Sequence, residues 1–125
     1  MKDKIPLSGI VVPLLYLFSA IACLFFSNEI YVATFNVIPV FDYEYNIISM
    51  AIWNFTYVVL IRFIYTKHQN VYLELIPVFA LVEFLHFIMC IYVFYIFQTQ
   101  SIVVTGIIHL GLLYLFLYER KLFKR

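Results

Sequence analysis

Four stretches of this chain are each long and apolar enough to cross a bilayer, and no other feature limits its fold as strongly. A helix needs about 20 mostly apolar residues to span the hydrocarbon core. The stretches cover residues 10–26, 47–65, 71–97 and 101–118. The third is the longest, and must tilt or protrude. The expected fold is all-α: a single domain over residues 1–125, built as an integral membrane bundle of four antiparallel transmembrane helices. Composition agrees. Hydrophobic residues make up 66% and charged residues 12% of the chain, with mean hydropathy +1.00. Soluble domains are roughly half apolar and a quarter charged, so a water-soluble globule is excluded.

The first stretch follows a basic Met-Lys-Asp-Lys segment, as a signal peptide would. Its apolar run is long, however, and no small-residue cleavage site follows at Phe25-Phe26-Ser27-Asn28-Glu29. It is expected to remain as the first helix.

Lysine and arginine set the orientation. The chain has 8 of them: Lys2, Lys4, Arg62, Lys67, Arg120, Lys121, Lys124 and Arg125. With four crossings, all of them fall on one side or at helix ends facing it. The opposite loops, residues 28–45 and 98–100, contain none, and the longer one carries Glu29, Asp42 and Glu44. Both termini are therefore expected in the cytoplasm of a cell-membrane protein. No basic run lies outside the extreme C-terminus, so no nucleic-acid partner is expected. The partners expected are the lipid bilayer and another membrane protein or a second copy of the chain.

Within the outer loop, residues 30–41 are apolar but too short to span. Pro39 and the β-branched residues argue against a regular helix there. The expected arrangement is an interfacial segment with Tyr31, Phe35, Phe41, Tyr43 and Tyr45 among the headgroups. A lid over a site between the helices is the alternative. Cys23 and Cys90 form no C-x-x-C motif and read as small apolar fillers. Ser19, Cys23 and Ser27 recur every four residues, a spacing that lets a neighbouring helix approach closely.

Chemistry concentrates in the polar groups inside the spans. Ionisable residues there are costly and face the bundle interior. If the second and third helices turn near residue 68, Arg62 and Glu74 lie at equal depth, and an ion pair clasping the hairpin is expected. The same symmetry brings Asn54 level with Glu83. His86 follows Glu83 at i+3, on nearly the same face. A turn near residue 99 puts His109 within a helical turn of His86. Asn54, Glu83, His86 and His109 thus form an expected polar cluster halfway along three helices. Thr105 and Ser101 extend it outward.

Glu83-x-x-His86 has the spacing of di-iron bundle ligands, but only one such pair is present. A mononuclear metal site of Glu83, His86 and His109 is chemically reasonable, since zinc and iron accept both ligand types. Haem held between the two histidines and a proton or cation relay are further options. The remaining reading is a hydrogen-bond network that holds the helices together. No G-x-S-x-G motif or glycine-rich phosphate loop is present, so nucleophilic catalysis has no support. No cofactor is required by the sequence. The expected function is a non-enzymatic accessory or interaction subunit of a membrane system. One alternative is a small proton, cation or solute transporter or channel acting as an oligomer. A second is a membrane redox or metal-dependent enzyme subunit.

Overall fold

The structure is a computed structural model and describes residues 5–35 and 43–123, with the side chains of 43–45 excepted. Lys2, Lys4, Lys124, Arg125 and the loop at 36–42, with Pro39, Phe41 and Asp42, lie outside the described residues. So do the side chains of Tyr43, Glu44 and Tyr45.

The described residues form helices α1 (Ser8–Phe25), α2 (Ser27–Phe35), α3 (Tyr43–Lys67), α4 (Gln69–Phe97) and α5 (Gln100–Phe123). Four of them are long and apolar enough to cross a membrane: α1, residues Asn46–Lys67 of α3, α4 and α5. At 1.5 Å per residue, even the 18 residues of α1 reach about 27 Å, close to the thickness of a hydrocarbon core. These helices are apolar around most of their circumference. Leu14, Phe18, Phe55, Leu81, Ile107 and many others point outward. That distribution suits lipid surroundings, since a helix in water needs a polar face.

Inward-facing residues repeat at helical spacing. On α4 they are Tyr72, Ile76, Phe79, Ala80 and Glu83; on α5 they are Ile102, Gly106, Leu112, Phe116 and Glu119. α1 packs chiefly on α3, and α4 chiefly on α5. Val12, Tyr57, Ile61, Tyr72, Phe79 and Phe116 belong to one core that joins the two pairs. The turns fall at His68 and at Gln98–Thr99, close to the expected positions. Gln98 takes a left-handed conformation, φ 53°, and its N–H returns to Phe94 O.

Two arrangements were not expected. First, residues 30–35 are helical as part of α2. Tyr31 of α2 packs on Cys23, Ile47 and Ala51. The carbonyls of Ala33 and Thr34, in the last described turn of α2, receive Ser101 Oγ and Thr99 Oγ1, the latter at 2.8 Å. Tertiary capping thus outweighs the weak helix propensity of β-branched residues. Second, Glu119 of α5 is buried at 3% exposure and caps α1. Its carboxylate accepts the Ser8 backbone N–H at 2.9 Å and the Ser8 hydroxyl. Ser8 Oγ also bonds the Tyr72 hydroxyl at 2.6 Å. A carboxylate at a helix N-terminus satisfies an orphan donor and complements the helix dipole.

Candidate functional site

Glu83, His86 and His109 converge. Glu83 is fully buried, halfway along α4. Its i+3 neighbour His86 shares that face. His109 is in phase with Gly106, Leu112 and Phe116 of α5, so it too turns inward. His109 Nδ1 lies 2.7 Å from Glu83 Oε2. The imidazole rings of His86 and His109 have centroids 4.9 Å apart. One potential ligand atom from each of the three residues lies within 4.8 Å of the others.

The residue that completes the cluster is Tyr16 of α1. Its hydroxyl donates to Glu83 Oε1 at 2.9 Å and lies 2.8 Å from His86 Nδ1. With Glu83 ionised, one proton arrangement satisfies every contact. His86 Nδ1–H donates to the Tyr16 oxygen, Tyr16 O–H donates to Glu83 Oε1, and His109 Nδ1–H donates to Glu83 Oε2. Three helices are thereby linked through one carboxylate. α3 supplies the cover: Trp53 sits edge-on to His86, and Tyr57 packs edge-on against Tyr16 with centroids 4.7 Å apart.

Tyr16 escapes a reading based on titratable residues because it is one of 11 tyrosines in the chain, most of them suited to an interface. The signal that marks it is phase. It recurs with Val12, Ala20 and Cys23 on the buried stripe of α1, well inside the apolar run.

Asn54 is buried at 8% exposure but stands apart from this network. Its Nδ2 donates to Ser19 Oγ at 2.9 Å, tying α3 to α1. Ser19, one of the expected small-residue positions, therefore serves as a hydrogen-bond partner. Thr105 and Ser101 likewise do not extend the cluster. Thr105 Oγ1 returns to Ser101 O at 2.9 Å within α5, and Ser101 Oγ goes to α2.

The expected Arg62–Glu74 clasp is replaced by a different contact. Arg62 Nη1 donates to Gly9 O at 2.9 Å, and its guanidinium lies 5.3 Å from the centroid of the Tyr65 ring. Glu74 is exposed beside Asn70, Leu73 and Phe123. Equal depth is not sufficient for contact. α3 packs mainly on α1, so Arg62 turns to the first turn of α1, while α4 carries Glu74 toward α5. Arg62 also edges a side-opening groove of about 440 Å3 lined by Ile10, Pro13, Leu14, Leu17, Val58 and Tyr65. No residue of the Glu83 network lines that groove.

Comparison with family models, with curated proteins and with solved structures gave no match.

Proposed function

We infer that this chain is a multi-pass protein of the cell membrane, both termini cytoplasmic, working as a non-enzymatic subunit of a larger membrane system. Its contribution to that system is the titratable centre at Glu83. The observation that carries this reading is the setting of that carboxylate: fully buried, halfway along an apolar helix, and held by groups from two other helices. An acid at such a depth is costly, and where one is kept it commonly serves binding, relay or assembly. The one-sided distribution of the 8 basic residues supports the orientation. The broad apolar outer surface leaves room for a partner helix beside lipid.

The experiment is extraction of native membranes in mild detergent after cross-linking at natural expression level. The expected result is a defined assembly, with a second membrane protein or with further copies of the chain at fixed stoichiometry. A free monomer would overturn the subunit reading.

The alternation of donors and acceptors along Tyr16, Glu83 and His109 favours a second reading, a small proton or cation transporter acting as an oligomer. Purified protein in vesicles carrying a pH-sensitive dye tests it. Flux that disappears in Glu83→Gln supports transport. Equal dye signals with and without protein reject it.

A further inference from the structure

We propose that Glu83, His86 and His109 bind a single divalent transition-metal ion of the zinc or iron type, with Tyr16 as a neighbour or fourth ligand. The proposal rests on Glu83 being the working centre, and is independent of the subunit role. Three observations support it. The donor set is two imidazoles and one carboxylate, which is the combination that zinc and non-haem iron sites use. The three ligand atoms lie within 4.8 Å of one another. Ligands on one tetrahedral ion with bonds of about 2.1 Å stand about 3.4 Å apart. To share one ion, the ligand atoms must draw together by up to about 1.4 Å.

The third observation is a polar group without a partner. Tyr57 is 4% exposed, and its buried hydroxyl has no hydrogen bond. It sits against Tyr16 and faces the Glu83 carboxylate, close to it but short of a well-formed hydrogen bond. A buried hydroxyl left unmatched is costly. A water on an ion held by Glu83 would donate to that hydroxyl, as metal sites commonly hydrogen-bond their outer partners. On binding, the ion takes the place of the protons that now bridge these groups: His109 Nδ1–H and His86 Nδ1–H move to Nε2 or are released, and the freed Nδ1 lone pairs join Glu83 as ligands.

The test uses the full chain, purified in detergent through a tag without histidine and stripped with a chelator. Titration with Co2+ should show one ion per chain and visible d–d absorption that Zn2+ abolishes. Glu83→Gln, His86→Ala and His109→Ala should each weaken binding at least tenfold. His68→Ala, which removes the one histidine outside the cluster, should leave it unchanged. Circular dichroism and elution volume identify variants that fail to fold. If one does, wild-type protein still decides: Co2+ should shift the ring resonances of His86 and His109 and spare His68. Absence of binding at millimolar Co2+, binding unchanged in a folded Glu83→Gln protein, or binding lost in His68→Ala overturns the proposal. The native-membrane experiment is unaffected by any of these outcomes, so the two readings fail separately.

Discussion

The Tyr16 hydroxyl and the Glu83 carboxylate, 67 positions apart in sequence, meet at 2.9 Å and join the two helix pairs of the bundle. α1 belongs to the pair with α3, and α4 to the pair with α5. Their shared core is aromatic and aliphatic, with little directional preference. The Tyr16–Glu83 bond adds direction: it fixes the rotation of α1 about its axis and its height against α4.

Tyr16→Phe therefore removes more than one contact. It leaves Glu83 Oε1 and His86 Nδ1 without their partner while keeping the ring in place. The expected loss is about 1–3 kcal/mol, the scale for an unsatisfied buried polar group. Unfolding in mixed detergent micelles measures it. A loss indistinguishable from zero would mean that the hydroxyl is not shared between those two groups.

The cap on α1 gives a second prediction. Glu119→Ala removes the acceptor of the Ser8 N–H and leaves the Ser8 hydroxyl with Tyr72 alone. It should cost about 1–2 kcal/mol, the upper range for helix N-caps. Ser8→Ala keeps the backbone bond and should cost less. The double variant should lose less than the sum of the singles, because both remove the same Oγ–carboxylate contact. Strict additivity would show that the two residues do not interact.

Arg62 and Glu74 make the opposite case. Arg62→Ala should destabilise the α1–α3 pair through loss of the Gly9 carbonyl bond and the Tyr65 contact. Glu74→Ala, at an exposed position, should stay within about 0.5 kcal/mol of wild type. The charge-swapped pair should recover nothing. Gly9 is part of this arrangement. A Cβ there would run into the Tyr65 ring, so Gly9→Ala should displace Tyr65 and weaken the same contact. Recovery of stability in the swapped double variant would restore the ion pair as the correct reading.

These contrasts show what one sequence carries. The four long helices were legible because lipid demands length and apolarity, and both are visible residue by residue. Both turns were legible because the apolar runs stop there. The meeting of Glu83, His86 and His109 followed from counting depth back from those turns. What counting depth omits is azimuth. Arg62 and Glu74 share a depth, but their helices lean on different neighbours. Asn54 is level with Glu83 and still faces Ser19. Glu119 sits in a polar Glu-Arg-Lys string, which hides its phase with Leu112 and Phe116. The helix at Ser27–Phe35 depends on hydroxyls some 65 residues downstream, beyond the reach of local propensity.

The Glu83→Gln variant gives the most direct view of the centre. In the arrangement that satisfies every contact, the carboxylate accepts from two donors, Tyr16 O–H and His109 Nδ1–H. A glutamine has one acceptor oxygen and one amide group. Its oxygen can keep the Tyr16 bond, and its amide then faces His109 Nδ1. Two donors cannot bond each other, so His109 moves its proton to Nε2 and accepts at Nδ1; with the amide reversed, its oxygen faces His109 and His86 moves its proton instead, to accept from Tyr16. The cost is a tautomer change rather than an orphaned group, and the metal-free protein should fold with nearly wild-type stability. Glu83→Leu, which takes the acceptor from both Tyr16 and His109, should lose at least as much as Tyr16→Phe, about 1–3 kcal/mol. The tautomer change is observable. Nitrogen NMR of labelled histidine should place the His86 and His109 protons on Nδ1 in wild type and one of the two on Nε2 in Glu83→Gln, with His68 unchanged in both. Nδ1 protons kept by both His86 and His109 in the folded variant would show that Glu83 is not the acceptor of Tyr16 and His109 together, and the hydrogen bonds of the centre would have to be redrawn.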